Sequence, residues 1–317
     1  RKAIDRRQQL EDKKDHYEAT VYTKGAILAD KMYDKLLSKG WVDSTEVRDS
    51  AGNIVFYLAE SNNLITKIGD QIHEYIISSR RSGDSKGISM NFVQFTRMDF
   101  YKSLIPFNKS LVNPIGDQAF MYYDYELSGS YYEGNQKFYK IKLIPRRTAE
   151  PVFFGNIYIA DETFDLKQVD LFTLGKNAAA EFIDTIHIKQ ATRWISGYEK
   201  QVPLNQTVSF TGGLLGIKVF GYFIGFYNNV NVLAKNAKLP DDRTLIEFAP
   251  GSTKKSESYW DTLRPISLTV AEKNDYQQRD SIAILMETKS YLDSIDRKHN
   301  KFKLKNYGSF KIRRHCS

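Results

Sequence analysis

The 317-residue sequence predicts an α+β protein: a curved antiparallel β-sheet preceded by an N-terminal helix and followed by a long C-terminal amphipathic helix. Three observations carry that prediction. Short runs alternate apolar and polar residues with period two and are separated by turn residues. The 20 Tyr and 19 Phe supply the aromatic surplus that suits strands. No regular alternation of strand and helix patterns occurs, which argues against a doubly wound parallel sheet.

Residues 1–15 are charged and carry few apolar positions (Ala3, Ile4, Leu10), a short surface helix. Residues 17–25 alternate and end at Gly25, a strand followed by a turn. Runs at 53–60 and 71–79 are the next strands, parted by a turn at Gly69-Asp70. Between 80 and 117 the pattern is less regular. It holds a polar loop R-R-S-G-D-S-K-G, a short helix stopped by Pro106, and a Pro-Gly turn leading to a short helix or strand. Residues 137–145 place Tyr139, Ile141 and Leu143 on one face, and 153–161 with 165–175 read as a hairpin turning at Asp161-Glu162-Thr163. The run 181–190 puts Phe182, Ile186 and Ile188 on one face and Thr185, His187 and Lys189 on the other. Consecutive strands with short turns predict an antiparallel sheet with one wet face.

The most apolar stretch, 208–227, contains five glycines and Lys218. Those residues argue against a membrane-spanning helix and for two glycine-punctuated strands, either a buried hairpin or one that touches lipid. Thr269-Val270-Ala271-Glu272 matches a capping box, in which the Thr hydroxyl and Glu carboxylate each satisfy the other's backbone amide. Ile282, Leu285, Met286, Leu292 and Ile295 then recur at helical spacing. The expected division is a sheet domain at 1–268 with its short N-terminal helix, an amphipathic helix at 269–298 leading to a missing membrane part, and a basic tail at 299–317 as a truncated end.

Hydrophobic residues make up 41% and charged residues 26%, a globular composition. The net charge of +8 lies entirely in 297–317, which holds eight Lys and Arg and no acidic residue; the other 296 residues carry 38 of each sign. A nucleic-acid binder carries its basic patch on the folded body, so no nucleic-acid partner is expected. The tail reads either as a contact for an anionic membrane surface or as a solvated end. One cysteine, Cys316, allows no disulfide within the chain and no cysteine metal site. The opening R-K-A-I-D reads like the middle of a helix, so the chain is expected to be a fragment.

No catalytic, metal or cofactor residues are predicted, and the chain is not expected to be an enzyme. His16, His73, His187, His299 and His315 lack a second ligand at a recurring spacing. His73 and His187 lie in predicted strands and each reads as a surface or satisfied sheet residue. Gly83-Asp84-Ser85 sits in a polar loop without a nucleophile elbow, and phosphate-binding glycine loops are absent. The stretch 258–282 reads instead as a structural fastening made by Trp260, Arg264, Pro265, Thr269 and Glu272. Trp260 and Arg264 are four apart, so on a helix the guanidinium can lie over the indole. Pro265 ends that turn, and Thr269 with Glu272 starts the next helix.

Tyr259-Trp260-Asp261, Arg264-Pro265, Leu268-Thr269, Glu272, Tyr276 and Asp280-Ser281-Ile282 resemble the signature of a domain-of-unknown-function family of Bacteroidetes cell-envelope proteins. Tyr17-Glu18-Ala19 through Gly25, Ser79 through Gly83, Asn113-Pro114-Ile115 and Phe154 through Ile159 add to the resemblance, which covers roughly residues 1–296. It implies a carboxypeptidase-regulatory-like domain before this region and an outer-membrane β-barrel after it, and no catalytic residues. The order of helix, strands and hairpin is also similar to the curved sheet of lipoprotein carriers, which would make lipid or lipoprotein a partner. The expected function is a non-enzymatic, periplasm-facing module of an outer-membrane protein with a structural or interaction role. The alternatives are a carrier or sensor of an apolar ligand in the concave sheet, and a hydrolase of envelope polymers.

Overall fold

The computed structural model describes residues 1–30, 53–82, 98–214, 217–239 and 246–277. After helix α1 (Lys2–Glu11) come β1 (His16–Ala29), β2 (Ile54–Ile68) and β3 (Gln71–Arg81). The short strands β4 (Leu104–Ile105) and β5 (Leu111–Val112) and the single turn α2 (Ala119–Tyr122) lead to β6 (Tyr123–Glu133) and β7 (Gln136–Pro145). Strands β8 (Phe154–Ala160), β9 (Leu166–Leu174), β10 (Ile183–Arg193), β11 (Val202–Leu214) and β12 (Ile217–Val232) follow. Strand β13 (Ile246–Phe248) and helix α3 (Glu257–Leu263) complete the named elements, and 270–277 is helical.

Eleven strands form one open sheet in the order β13-β3-β2-β1-β12-β11-β10-β9-β8-β7-β6. Two antiparallel meanders, β1–β3 and β6–β12, are joined where β1 pairs with β12; among the described residues only β13 runs parallel to its neighbour, β3. Tight turns make the meanders: Gly69 and Gly134 take φ +59° and +57°, the left-handed region that glycine enters without a Cβ penalty. Register shifts in the pairs β1–β2, β6–β7, β8–β9 and β10–β11 bend the strands, as bulges do, so the sheet is curved.

The inner face carries the main core. Leu143, Ile157, Val169, Leu171, Ile188 and Val208 are buried there at alternate strand positions. The 98–115 segment covers them with Phe100, Ile105, Leu111 and Ile115. Asn113 organises that segment: its amide donates to the carbonyls of Phe100 (2.8 Å) and Lys102 (2.7 Å) and accepts from the Ile115 N–H (3.0 Å). Helix α1 adds Ile4 and Leu10 on the stripe that also holds Arg7, all buried.

The expected α+β class becomes a mostly β protein with few helices. Strand β1 does not end at Gly25 but runs to Ala29, because Gly25 is paired on both sides, with Ala59 and Phe223, and this pairing overrides its turn tendency. The helix expected before Pro106 is replaced by a turn and β4, which pairs with β5. Phe182 precedes β10 and is 62% exposed, because the register shifts between Ile183 and Thr185 and removes it from the face of Ile186 and Ile188. The 208–227 stretch falls in β11 and β12, an antiparallel pair. Among the described residues no helix is long and apolar enough to cross a membrane. The long C-terminal amphipathic helix is supported only over 270–277; its expected continuation to 298, the basic tail and the Ser85 loop lie outside the described residues.

Candidate functional site

Ionisable side chains gather at two places on opposite faces of the same strands. On the outer face, the register sets Lys24 opposite Glu60 and Tyr22 opposite Asn62. Glu60, 2% exposed, accepts from the Tyr22 hydroxyl (2.5 Å) and takes both prongs of Arg264, Nε on Oε1 and Nη2 on Oε2, each at 2.8 Å. Forked guanidinium–carboxylate pairs of this kind are directional as well as strong. Nη1 of Arg264 donates to Glu257 (2.8 Å) and Asp261 (2.7 Å). Arg80 pairs with Glu257 from β3 and lies 3.9 Å over the Tyr276 ring. Burial alone would lower the Arg264 pKa, but its bonds to Glu60 and Glu257 outweigh that and hold it above the usual value. Burial likewise pushes the Glu257 carboxyl up, yet Arg264 and Arg80 hold it below the usual range.

The capping box forms as drawn: the Thr269 N–H donates to Glu272 Oε2 (2.9 Å) and the Glu272 N–H to Thr269 Oγ1 (3.3 Å). Glu272 Oε2 also accepts from Lys24 Nζ (3.0 Å), a pair whose side chains are 3% and 5% exposed, and Oε1 accepts from the Tyr222 hydroxyl. Helix α3 starts on Ser256, whose hydroxyl accepts from the Tyr259 N–H, and buries Trp260 to 1% exposure with its ring edge-on to Tyr259. The structure therefore brings Trp260, Arg264, Thr269 and Glu272 against the sheet. The expected stacking of Arg264 on Trp260 does not occur. Arg264 caps α3 in an extended conformation (φ −63°, ψ 118°), as a residue before Pro265 must, and this aims its guanidinium at Glu60.

On the inner face, Asp15 accepts from Lys67 Nζ (2.6 Å) and the Tyr198 hydroxyl (2.6 Å), with Lys200 at 3.5 Å. Burial pushes the Asp15 carboxyl up, but Lys67 and Lys200 outweigh it and hold it below the usual carboxylate range. Lys67, which also reaches Asp99 at 3.4 Å, sits above its ordinary pKa because Asp99, Tyr17 and Asp15 outweigh the opposing effect of burial. Beside this cluster α1 is pinned by Arg7, 1% exposed. Its guanidinium donates to the carbonyls of Ile115 and Tyr101 (both 2.8 Å), to Glu11 (2.5 Å) and to Asp117.

Under α1 a chamber of ≈ 70 Å³ remains, walled by Leu10, Ile65, Met98, Phe100 and Leu166. Ligand pockets for drug-sized molecules run to about 300–1,000 Å³, so the concavity is largely filled by the chain itself. Among the described residues no three His, Cys, Asp or Glu side chains are grouped to hold a metal ion. His187 meets Asp170 (2.5 Å) and stacks on Phe172. His73 is buried with Nε2 unbonded, 3.8 Å from Glu247.

Sequence reasoning missed Lys24, Glu60 and Arg80 because they sit in strands, where a charge is normally read as solvent-facing. Their signal was Glu60 closing the apolar run N-I-V-F-Y-L-A-E. Arg7 was legible only as a cation on the Ile4–Leu10 stripe.

No curated protein matches the chain. Solved structures that it is similar to include a LolA superfamily protein from Nitrosomonas europaea (11% identity, 73% of this chain and 92% of that one, TM-score 0.25). A putative outer membrane lipoprotein-sorting protein domain from Vibrio parahaemolyticus is similar at 8% identity, over 74% and 94%, with a TM-score of 0.26. The Pseudomonas aeruginosa MucA/MucB complex is similar at 10% identity, over 74% and 100%, with a TM-score of 0.24. Scores of this size carry no argument for fold or function. A model of a family of unknown function, DUF5686, matches residues 1–230, and the chain belongs to that family.

Proposed function

We propose that this chain is a non-enzymatic, periplasm-facing module of an outer-membrane protein, with a structural or interaction role, in which Trp260, Arg264, Pro265, Thr269 and Glu272 fasten the C-terminal segment to the sheet. One observation carries the reading: the two faces of β1 and β2 are occupied by the chain's own segments. Tyr198 and Val202 pack on the inner face and Asp99 reaches Lys67 there, while α3 and the 270–277 helix lie on the outer one. The charged groups at both places are matched to one another. Such an arrangement holds two segments in a fixed relation, which suits a spacer between a preceding domain and a following barrel. Those neighbours, and the envelope location, rest on the resemblance of the motifs quoted above.

The carrier reading is favoured by the apolar walls of the chamber under α1, and it would require α1 to leave. Two measurements separate the readings. Trp260→Ala should lower the stability of the chain by about 3–5 kcal/mol in denaturant unfolding. Lipid extraction of the natural protein, purified from its own cells, should give no stoichiometric lipid. A stably folded Trp260→Ala variant sinks the fastening, and one bound lipid per chain replaces the spacer with a carrier. Recovery of the natural protein in the cytoplasmic fraction removes the envelope role altogether.

A further inference from the structure

Asp165 lies just before β9, 2% exposed, in the wall of the chamber under α1. Its Oδ1 accepts from Arg6 Nε at 2.9 Å, and its Oδ2 accepts no hydrogen bond among the described residues. A buried carboxylate oxygen without a donor is costly, and each such group in a folded protein calls for an explanation. Near it stands Tyr101, whose hydroxyl accepts from the Gln201 N–H (2.9 Å) and keeps its own proton to donate. Burial pushes that proton's pKa up, the bond from the Gln201 N–H opposes it, and the Asp165, Asp99 and Asp15 charges add to burial, so the proton stays on the oxygen. Beside the Arg6–Asp165 pair a groove of ≈ 470 Å³ runs between α1 and the β8–β9 turn, lined by Lys2, Asp5, Arg6, Gln9, Glu162 and Phe164.

The turn itself is built in an unusual way. Glu162 and Phe164 take φ +65° and +57°, left-handed conformations that bulky residues avoid. Backbone of this kind persists where the surroundings over-determine it, and it concentrates at functional sites. Its effect here is to present the Phe164 ring beside the groove and Asp165 in the chamber.

We propose that groove and chamber together bind a saccharide, with a sugar ring on Phe164 and one hydroxyl reaching Asp165. The chemistry matches group by group. A sugar hydroxyl is both donor and acceptor, and here it meets an acceptor (Asp165 Oδ2) beside donors (the Tyr101 hydroxyl and the Arg6 guanidinium). Asp5, Gln9 and Glu162 offer further hydrogen-bonding partners around a hydroxyl-rich body. The Phe164 ring supplies an apolar face for the C–H side of the sugar ring once the flexible Lys2 side chain, whose Nζ lies 4.7 Å from the ring centre, turns to donate to a sugar hydroxyl. A free lipid fits less well, because the groove is edged by charge. This site goes beyond the spacer role and does not depend on where the protein resides.

The test is titration of the full 317-residue chain with chitobiose and with maltose, read by amide NMR shifts. Saturable shifts at Arg6 and at 164–166 with at least one sugar are expected. Asp165→Leu should weaken that binding about tenfold or more, the scale of a lost hydrogen bond to a charged group. Phe164→Gly keeps the left-handed turn, which glycine adopts freely, and removes the ring; it should fold and bind more weakly. If Asp165→Leu unfolds, Phe164→Gly decides. No saturable shifts with either sugar, or wild-type affinity in the folded variants, overturns the assignment.

Discussion

The two halves of the sheet bury their residues by different rules. In β7 to β10 one face is dry and the other is half-wet: Leu171 is fully buried, and Asp170 beside it keeps a partly open carboxylate against His187. In β1 and β2 both faces are covered, so Ala19 and Val21 pack inward while Lys24 and Glu60 are sealed outward under α3 and the 270–277 helix. The first half is held by apolar area and tolerates charge on its back. The second places charges where water cannot reach them, and there Lys24 and Glu60 depend on partners 248 and 204 residues away in sequence. Buried ion pairs add little net stability over an apolar match, but removing one partner leaves an uncompensated charge.

That contrast can be tested by comparing carboxylates. Glu60→Ala should cost about 3–5 kcal/mol in equilibrium unfolding, because it strands Arg264 in a buried site. A loss below 1 kcal/mol would show that water enters the outer-face contact. Next in size, Thr269→Ala should cost about 1 kcal/mol, the usual worth of a helix N-cap, and should weaken the hold of Glu272. If thermal melts show no change, the capping box does not anchor the helix. Smallest is Asp124→Asn, which removes the exposed pair with Arg146 (2.8 Å) in the other half. It should cost less than about 1 kcal/mol and less still in high salt. A cost equal to that of Glu60→Ala would erase the distinction between the halves.

The same contrast explains what could be read in advance. Period-two alternation located β7, β8, β9 and most of β10, because one wet face leaves a polar mark at every second residue. It failed at the end of β1, which is two-sided, so Gly25 looked like a stop, and it gave no sign that Glu60 is buried. The capping box at Thr269 was legible because both partners lie within one turn. The fork of Arg264 on Glu60 was not, because 204 residues separate them and local spacing pointed to Trp260. The Phe164–Asp165 site left almost no trace. The sequence D-E-T-F-D contains no glycine or asparagine to advertise two left-handed residues, and an orphan oxygen has no sequence signature at all.

Arg7 offers a last consequence. Two of its bonds end on the main-chain carbonyls of Tyr101 and Ile115, groups that every amino acid carries. Evolution can therefore rewrite side chains along that stretch without unseating the helix, provided the backbone path is kept. Relatives of this chain should exchange Ile115 for other apolar residues more freely than they exchange Arg7. A lock that recognises shape rather than identity leaves its neighbours free to diverge.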